Sequence, residues 1–366
     1  MEPNRLPAGY APGRWQETLN NGKLRCTLCP RSCDLKDGQR GFCFVRERQG
    51  ERIYLTSYGR ASGFCIDPIE KKPLYHFYPG SSVLSFGTAG CNLGCKFCQN
   101  WDISKARDTD RLGAPCTPDD IAQTAHNWGC KSVAFTYNDP VVFAEFAIDT
   151  AKACRKLGVK SVAVTAGYLQ KEARKDFFSN MDAANVDLKA YTAEFYRSLC
   201  VAELEPVKDT LRYLAKETDV WLEITTLLIP GRNDTDDELK RLADFVLTEL
   251  GPEVPLHFTA FHPDYRLLEL TRTPKRSCTN ARDIALRAGL LNVYTGNIDD
   301  EVGQSSYCVE CGAMVLLRHG YEVSGVGLND KSCCKRCGCE WMGRIDERGI
   351  DTFGARRIPV GVPSRP

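Results

Sequence analysis

The 366-residue sequence lacks what several common function classes require. It has only five histidines, too few for a His-rich zinc hydrolase. No Gly-Lys-Ser/Thr phosphate loop occurs, and Gly325-Val326-Gly327 lacks the third glycine and the preceding βα context of a dinucleotide site. Charge of one sign is not in excess: 48 Lys+Arg against 47 Asp+Glu leave a formal +1, so no nucleic-acid or anionic-membrane partner is expected. No apolar run approaches the roughly 20 residues of a membrane span. The start, Met1-Glu2-Pro3-Asn4-Arg5, lacks the apolar stretch of a secretory signal, which predicts a cytoplasmic protein.

What the sequence does have is cysteine, 19 in all. A long chain without an export signal is a poor candidate for a disulfide scaffold, and these cysteines bunch at ligand-like spacings. The bunches are Cys26, Cys29, Cys33 and Cys43; Cys91, Cys95 and Cys98; and Cys308, Cys311, Cys334 and Cys337. Metal sites follow as the expectation, with the scattered cysteines as small buried hydrophobes.

The patterning divides the chain into an N-terminal arm and four-cysteine module (1–79), a βα region (80–302), a C-terminal four-cysteine module (303–345) and a Pro-rich flexible tail (346–366). In the βα region, strand-like runs at 83–87, 132–136, 161–165, 185–188, 220–225 and 256–259 alternate with helical stretches. A short run at Val293-Tyr294 is a candidate seventh strand at the edge. Alternating βα units build a parallel sheet, and six are fewer than the eight of a closed barrel. The predicted fold class is therefore α/β, a partial (βα)6 barrel working at the C-terminal ends of its strands.

Cys91-x3-Cys95-x2-Cys98 follows the first predicted strand, at that working end. Structural zinc and ordinary [4Fe–4S] sites take four ligands, whereas this loop supplies three and would leave one iron open. The plainer alternative is a site completed by a distant thiol such as Cys116 or Cys65. The loop resembles the cluster motif of the radical S-adenosylmethionine (SAM) superfamily. The resemblance implies a [4Fe–4S] cluster on Cys91, Cys95 and Cys98 that binds SAM at its open iron and cleaves it to a 5′-deoxyadenosyl radical. It implies cofactor contacts from Phe97, beside adenine, and from Tyr137-Asn138-Asp139-Pro140, where relatives have a Gly-Gly-Glu segment. It also implies contacts from Thr165-Ala166-Gly167, Asp187-Leu188-Lys189, the loop with Pro230-Gly231, and His262. Without the resemblance, Asp187 and Lys189 read equally well as a solvated ion pair, Pro230-Gly231 as a turn, and His262 as a structural histidine.

The N-terminal four cysteines suit either a closed zinc site or an auxiliary [4Fe–4S] cluster. With Cys29-Pro30-Arg31 and Gly38-Gln39-Arg40-Gly41-Phe42-Cys43, they resemble the AmmeMemoRadiSam-system branch, which is similar to pyruvate formate-lyase activating enzymes. Over residues 22–345, this resemblance implies a radical SAM enzyme with a flavodoxin- or ferredoxin-type reductant and Memo-like and AMMECR1-like proteins as partners. The two C-terminal Cys-x2-Cys-Gly knuckles predict a zinc-ribbon or rubredoxin-like site, with zinc favoured over iron. A glycyl-radical-enzyme activase and a non-catalytic iron–sulfur or zinc scaffold are the competing functions.

Overall fold

A computed structural model describes residues 9–107, 113–347 and 349–362. Seven parallel strands lie side by side in chain order. They are β1 (Ser82–Gly87), β2 (Ser132–Phe135), β3 (Lys160–Thr165), β4 (Ala183–Asp187), β5 (Trp221–Leu228), β6 (Leu256–Ala260) and β7 (Val293–Gly296). Between them run α1 (Pro118–Asn127), α2 (Ala144–Lys156), α3 (Lys171–Phe178), α4 (Glu205–Glu217), α5 (Asp236–Phe245) and α6 (Lys275–Ala288). Their starts are local: α1 opens on a Thr117/Asp120 capping box with Pro118 in the first turn, and α5 on a Thr235 cap. The chain thus has an α/β fold with a parallel sheet, and the run at Val293-Tyr294 is a paired strand.

Strand alternation sorts the two faces. Leu84, Phe86, Val133 and Phe135 belong to the main core, whereas Val83, Ala134, Val162 and Ala183 face the other way. The latter bury Ile69, Leu74 and Phe77, so the segment before β1 plugs that face of the sheet. Backbone of this plug is satisfied from the strands: Glu223 accepts the amides of Tyr75 (2.9 Å) and His76 (2.7 Å), and Asn185 donates to the Pro73 carbonyl (2.8 Å).

Two features depart from expectation. Arg60–Pro68 extends the sheet as an antiparallel strand on β1. Ile358–Pro359, expected within a flexible tail, pairs with Ile66 and Cys65 of that strand, and Val362 is buried. The mixed Gly and polar residues of 60–68 carry no alternation that announces a sheet strand.

The N-terminal module consists of two small antiparallel sheets, and its Trp15, Leu24, Leu35, Val45 and Ile53 merge with the main core. The C-terminal module is a three-stranded antiparallel sheet, Ser306–Tyr307, Met314–His319 and Glu322–Ser324, with a small core of its own. Among the described residues no helix is long and apolar enough to cross a membrane.

Candidate active site

A cavity of about 770 Å³ opens over the C-terminal ends of the strands. Cys91, Cys95, Cys98 and Phe97 form one part of its wall; Tyr137, Asn138 and Asp139 after β2, Thr165 at the end of β3, and Asp187 and Lys189 at β4 form another. Residues far apart in sequence meet here because each follows or ends a strand of one parallel sheet.

The cysteine loop is fixed from three sides. Asn138 accepts the Thr88 amide (3.0 Å) and donates to the Gly90 carbonyl (2.7 Å), so its side chain is committed to holding the loop. The amides of Gly94 and Lys96 donate to the carbonyls of Cys200 (2.8 Å) and Leu199 (2.9 Å). Gly90 has φ +86°, and a Cβ there would stand 2.3 Å from the Cys43 carbonyl oxygen, so only glycine allows the loop to lie against the N-terminal module. Tyr137 takes φ 70°, and its carbonyl accepts from Asn100 Nδ2 (2.9 Å).

Asp139 is also occupied by protein. Its carboxylate accepts from the Val141 amide (3.0 Å), the Thr165 hydroxyl (2.9 Å) and the Ala166 amide (3.0 Å), tying the end of β2 to that of β3. Burial raises its pKa despite these donors. Asp187 and Lys189 are paired at 2.8 Å. Burial opposes the Lys189 charge, but Asp187, Cys95 and Cys200 outweigh it and raise the lysine pKa. The two form a half-buried pair that faces the cavity.

Two expected contacts stand apart. His262 is exposed and outside the cavity wall, with Nδ1 3.0 Å from Gln99 Nε2, and Pro230 is likewise outside it. Neither Cys65 nor Cys116 lines the cavity. The thiol beside the triad is Cys200, hydrogen-bonded to Cys95, which no sequence spacing could single out. Burial pushes the Cys91 thiol up to about 12 and also raises Cys98, whereas the Cys200 hydrogen bond lowers Cys95. Metal loading must therefore displace protons from the first two.

Residues 86–246 match the family model described as the Radical SAM superfamily. The uncharacterized protein MJ0808 of Methanocaldococcus jannaschii is 41% identical over 323 residues, covering 88% of this chain and 96% of that protein. The chain belongs to the radical SAM superfamily. Pyruvate formate-lyase 1-activating enzyme of Escherichia coli K12 is 23% identical over 189 residues, 50% of this chain and 75% of that enzyme. A radical SAM methyltransferase from Sphaerobacter thermophilus superposes with a TM-score of 0.48 at 16% identity, covering 85% of this chain and 82% of that one.

Membership in the radical SAM superfamily makes this an enzyme and implies a [4Fe–4S] cluster and SAM. The thiols fit such a cluster. Among the described residues no three of the ligand atoms around Cys91, Cys95 and Cys98 converge within 4.8 Å, as one small ion would require. All three nevertheless line the same cavity. A cube that carries each thiolate on its own iron suits that spread.

The sequence reading missed the polar interior of this radical SAM fold. Glu223 (β5) and His257 (β6) pair at 2.7 Å, and His257 reaches the cavity. Burial would raise the Glu223 carboxyl, but His257, His76 and the Tyr75 amide hold it below its ordinary value. Lys72, paired with Asp67 at 2.7 Å, and Glu70, pushed up to about 7 by burial, also line the cavity. The turn His319-Gly320-Tyr321 brings the C-terminal module into the same wall. A charge inside an apolar strand, as in Trp221-Leu222-Glu223-Ile224 or Val315-Leu316-Leu317-Arg318, was the available signal.

The C-terminal cysteines do converge: the sulfurs of Cys308, Cys311, Cys334 and Cys337 all lie within 4.8 Å of one another. Tetrahedral zinc with 2.3 Å bonds needs sulfurs about 3.8 Å apart. The Cys308–Cys337 and Cys311–Cys334 separations are 3.5 and 3.7 Å, so one metal ion fits.

Proposed function

We propose that this chain is a radical SAM enzyme of the AmmeMemoRadiSam type that holds its cluster on Cys91, Cys95 and Cys98 and takes hydrogen from a substrate in the adjoining cavity. The observation that carries this reading is the shared wall: three cysteines and the strand-end residues of β2, β3 and β4 line one cavity. With SAM bound, the cluster supplies one-electron cleavage of a sulfonium and a carbon radical. The chain's own residues position the reactants. Asn138 fixes the loop, and Asp139 holds the β2 and β3 ends in register, acting on SAM through Thr165 and the Ala166 backbone. Phe97, packed on Phe195 with ring centroids 5.7 Å apart, offers an apolar face to adenine. Tyr137, Asp187 and Lys189 supply carbonyl and charged groups for the SAM headgroup, while Pro230 and His262 belong to its surroundings. Lys72, His257, Glu70 and the 319–321 turn line the same cavity and offer a polar surface for a substrate with hydrogen-bonding groups.

The reductant is a flavodoxin- or ferredoxin-type protein, and Memo-like and AMMECR1-like proteins are its partners in the cell. A glycyl-radical activase is the second reading, favoured by the similarity to pyruvate formate-lyase 1-activating enzyme. That similarity spans only half of this chain. Anaerobic reconstitution with dithionite and SAM tests the first reading. The native chain should release 5′-deoxyadenosine, and Cys91→Ala/Cys95→Ala/Cys98→Ala should release none; product from the triple variant defeats the assignment.

A further inference from the structure

Cys26, Cys29, Cys33 and Cys43 are all unoxidised and line a single hollow beneath the catalytic loop. Three observations show a built site. Backbone amides face the sulfurs, from Leu28 toward Cys26, from Arg31 toward Cys29, and from Val45 and Arg46 toward Cys43. Such N–H donors stabilise anionic sulfur in metal sites. The Arg46 guanidinium, only 2% exposed and held by Glu145 at 2.6 Å, lines the same hollow and brings positive charge to a set of thiolates. Arg31, stacked 3.5 Å above the Phe42 ring, donates to the carbonyls of Asn92 and Val201 and so locks this hollow to the catalytic loop.

Spacing then selects the metal. No three of these four sulfurs lie within 4.8 Å of one another among the described residues, whereas the C-terminal four all do. One zinc ion would require separations of about 3.8 Å. Four thiolates that line one hollow without gathering on a single point suit a cube with one thiolate per iron.

We propose that Cys26, Cys29, Cys33 and Cys43 hold a second [4Fe–4S] cluster, closed by four thiolates and therefore unable to bind SAM. The contact between Gly90 and the Cys43 carbonyl places it directly against the loop of the SAM-binding cluster.

Metal analysis and electron paramagnetic resonance of the full chain, reconstituted anaerobically with iron and sulfide, test this. The native chain should hold about eight irons in clusters, with at most one further metal at Cys308–Cys337. Cys29→Ala/Cys43→Ala should lose about four irons and keep a reduced signal that changes on adding SAM. Cys91→Ala/Cys95→Ala/Cys98→Ala should keep about four irons whose reduced signal ignores SAM. The reciprocal pair guards against misfolding, since each variant must retain the cluster the other loses. Retention of no iron by the triple variant, or one zinc in place of four irons at the N-terminal set, overturns the proposal. A Cys29→Ala/Cys43→Ala variant whose remaining cluster ignores SAM would instead count against the catalytic assignment.

Discussion

The two four-cysteine sets near the ends of the chain use the same ligands in the same number but are backed by different amounts of protein. Behind the N-terminal set, Trp15, Leu24, Leu35, Val45 and Ile53 join the main core, and Arg46 is anchored on Glu145. Behind the C-terminal set stands a separate small cluster of Val315, Leu316, Val323 and Leu328, with Cys308 and Cys334 counted in it and the partly buried Ala313, Trp341, Ile345 and Ile350 packed against it. The first set is held in place by packing that exists without metal; the second supplies part of its own core. The close-set C-terminal thiols therefore mark a module that metal folds, whereas the N-terminal thiols belong to one folded by its neighbours.

The largest effect expected from this difference comes from removing metal. Cys308→Ala/Cys334→Ala should disorder the segment 306–345, because structural zinc in small modules contributes on the order of 10 kcal/mol. Limited proteolysis should cut there while the βα region stays resistant. Cys26→Ala/Cys29→Ala should leave the proteolytic pattern unchanged; equal sensitivity at both ends would erase the contrast.

Next in size is the joint that attaches the C-terminal module to the sheet. Arg318 is fully buried, donates to the Tyr75 carbonyl (2.6 Å) and the Ser306 hydroxyl (2.7 Å), and lies 4.0 Å from Glu70. Arg318→Met keeps the volume but strands these acceptors, and should cost about 3 kcal/mol in urea unfolding. A loss below about 1 kcal/mol would mean that the joint is maintained by apolar packing alone.

The smallest effect is a pH dependence confined to the same joint. His76 contacts Tyr294 Oη and the Met342 carbonyl and stacks on Trp341 at 4.4 Å. Burial lowers its pKa to about 4. The unfolded chain thus binds a proton that the folded chain refuses between about pH 6.5 and 4. Stability rises with pH across that window and is lost as pH falls through it, by at most about 1.4 kcal/mol per unit. Glu70, raised to about 7, contributes with the opposite sign, so the test is a difference: from pH 7 to 5 the denaturant midpoint of the native chain should fall relative to that of His76→Gln, and parallel profiles would remove the assignment.

The parallel strands were legible because each is a short apolar run bounded by turn residues, and the cysteine loop because three thiols crowd eight positions after the first of them. The start of helix α6 was less legible, since it opens on the polar Lys275-Arg276-Ser277, which carries no apolar period. Legibility failed where a side chain's partner is remote. Glu223 acquires its role from the amides of Tyr75 and His76, which nothing near it in sequence announces. Asp139 was legible as a residue of the site, but its three protein donors come from the next strand and its own loop. His262 looked like a cofactor contact by order along the chain, yet order fixes which strand a residue follows and leaves open whether its side chain turns inward.

The bond between Arg46 and Glu145 joins residues 99 positions apart, and it bears on the order in which this protein is made. Cysteines 26 to 43 leave the ribosome early, but Val141 and Val142, which help line their hollow, are synthesised about a hundred residues later. Until then those thiols have no closed chamber and are open to oxygen and to stray metal. The hollow therefore closes only after residue 145 has emerged, when the turn Pro140–Phe143 just ahead of α2 can lie over the sulfurs. Arg318 reaches Tyr75 across 243 residues, so the wall that His319, Gly320 and Tyr321 add to the large cavity is set only after the βα region has been made.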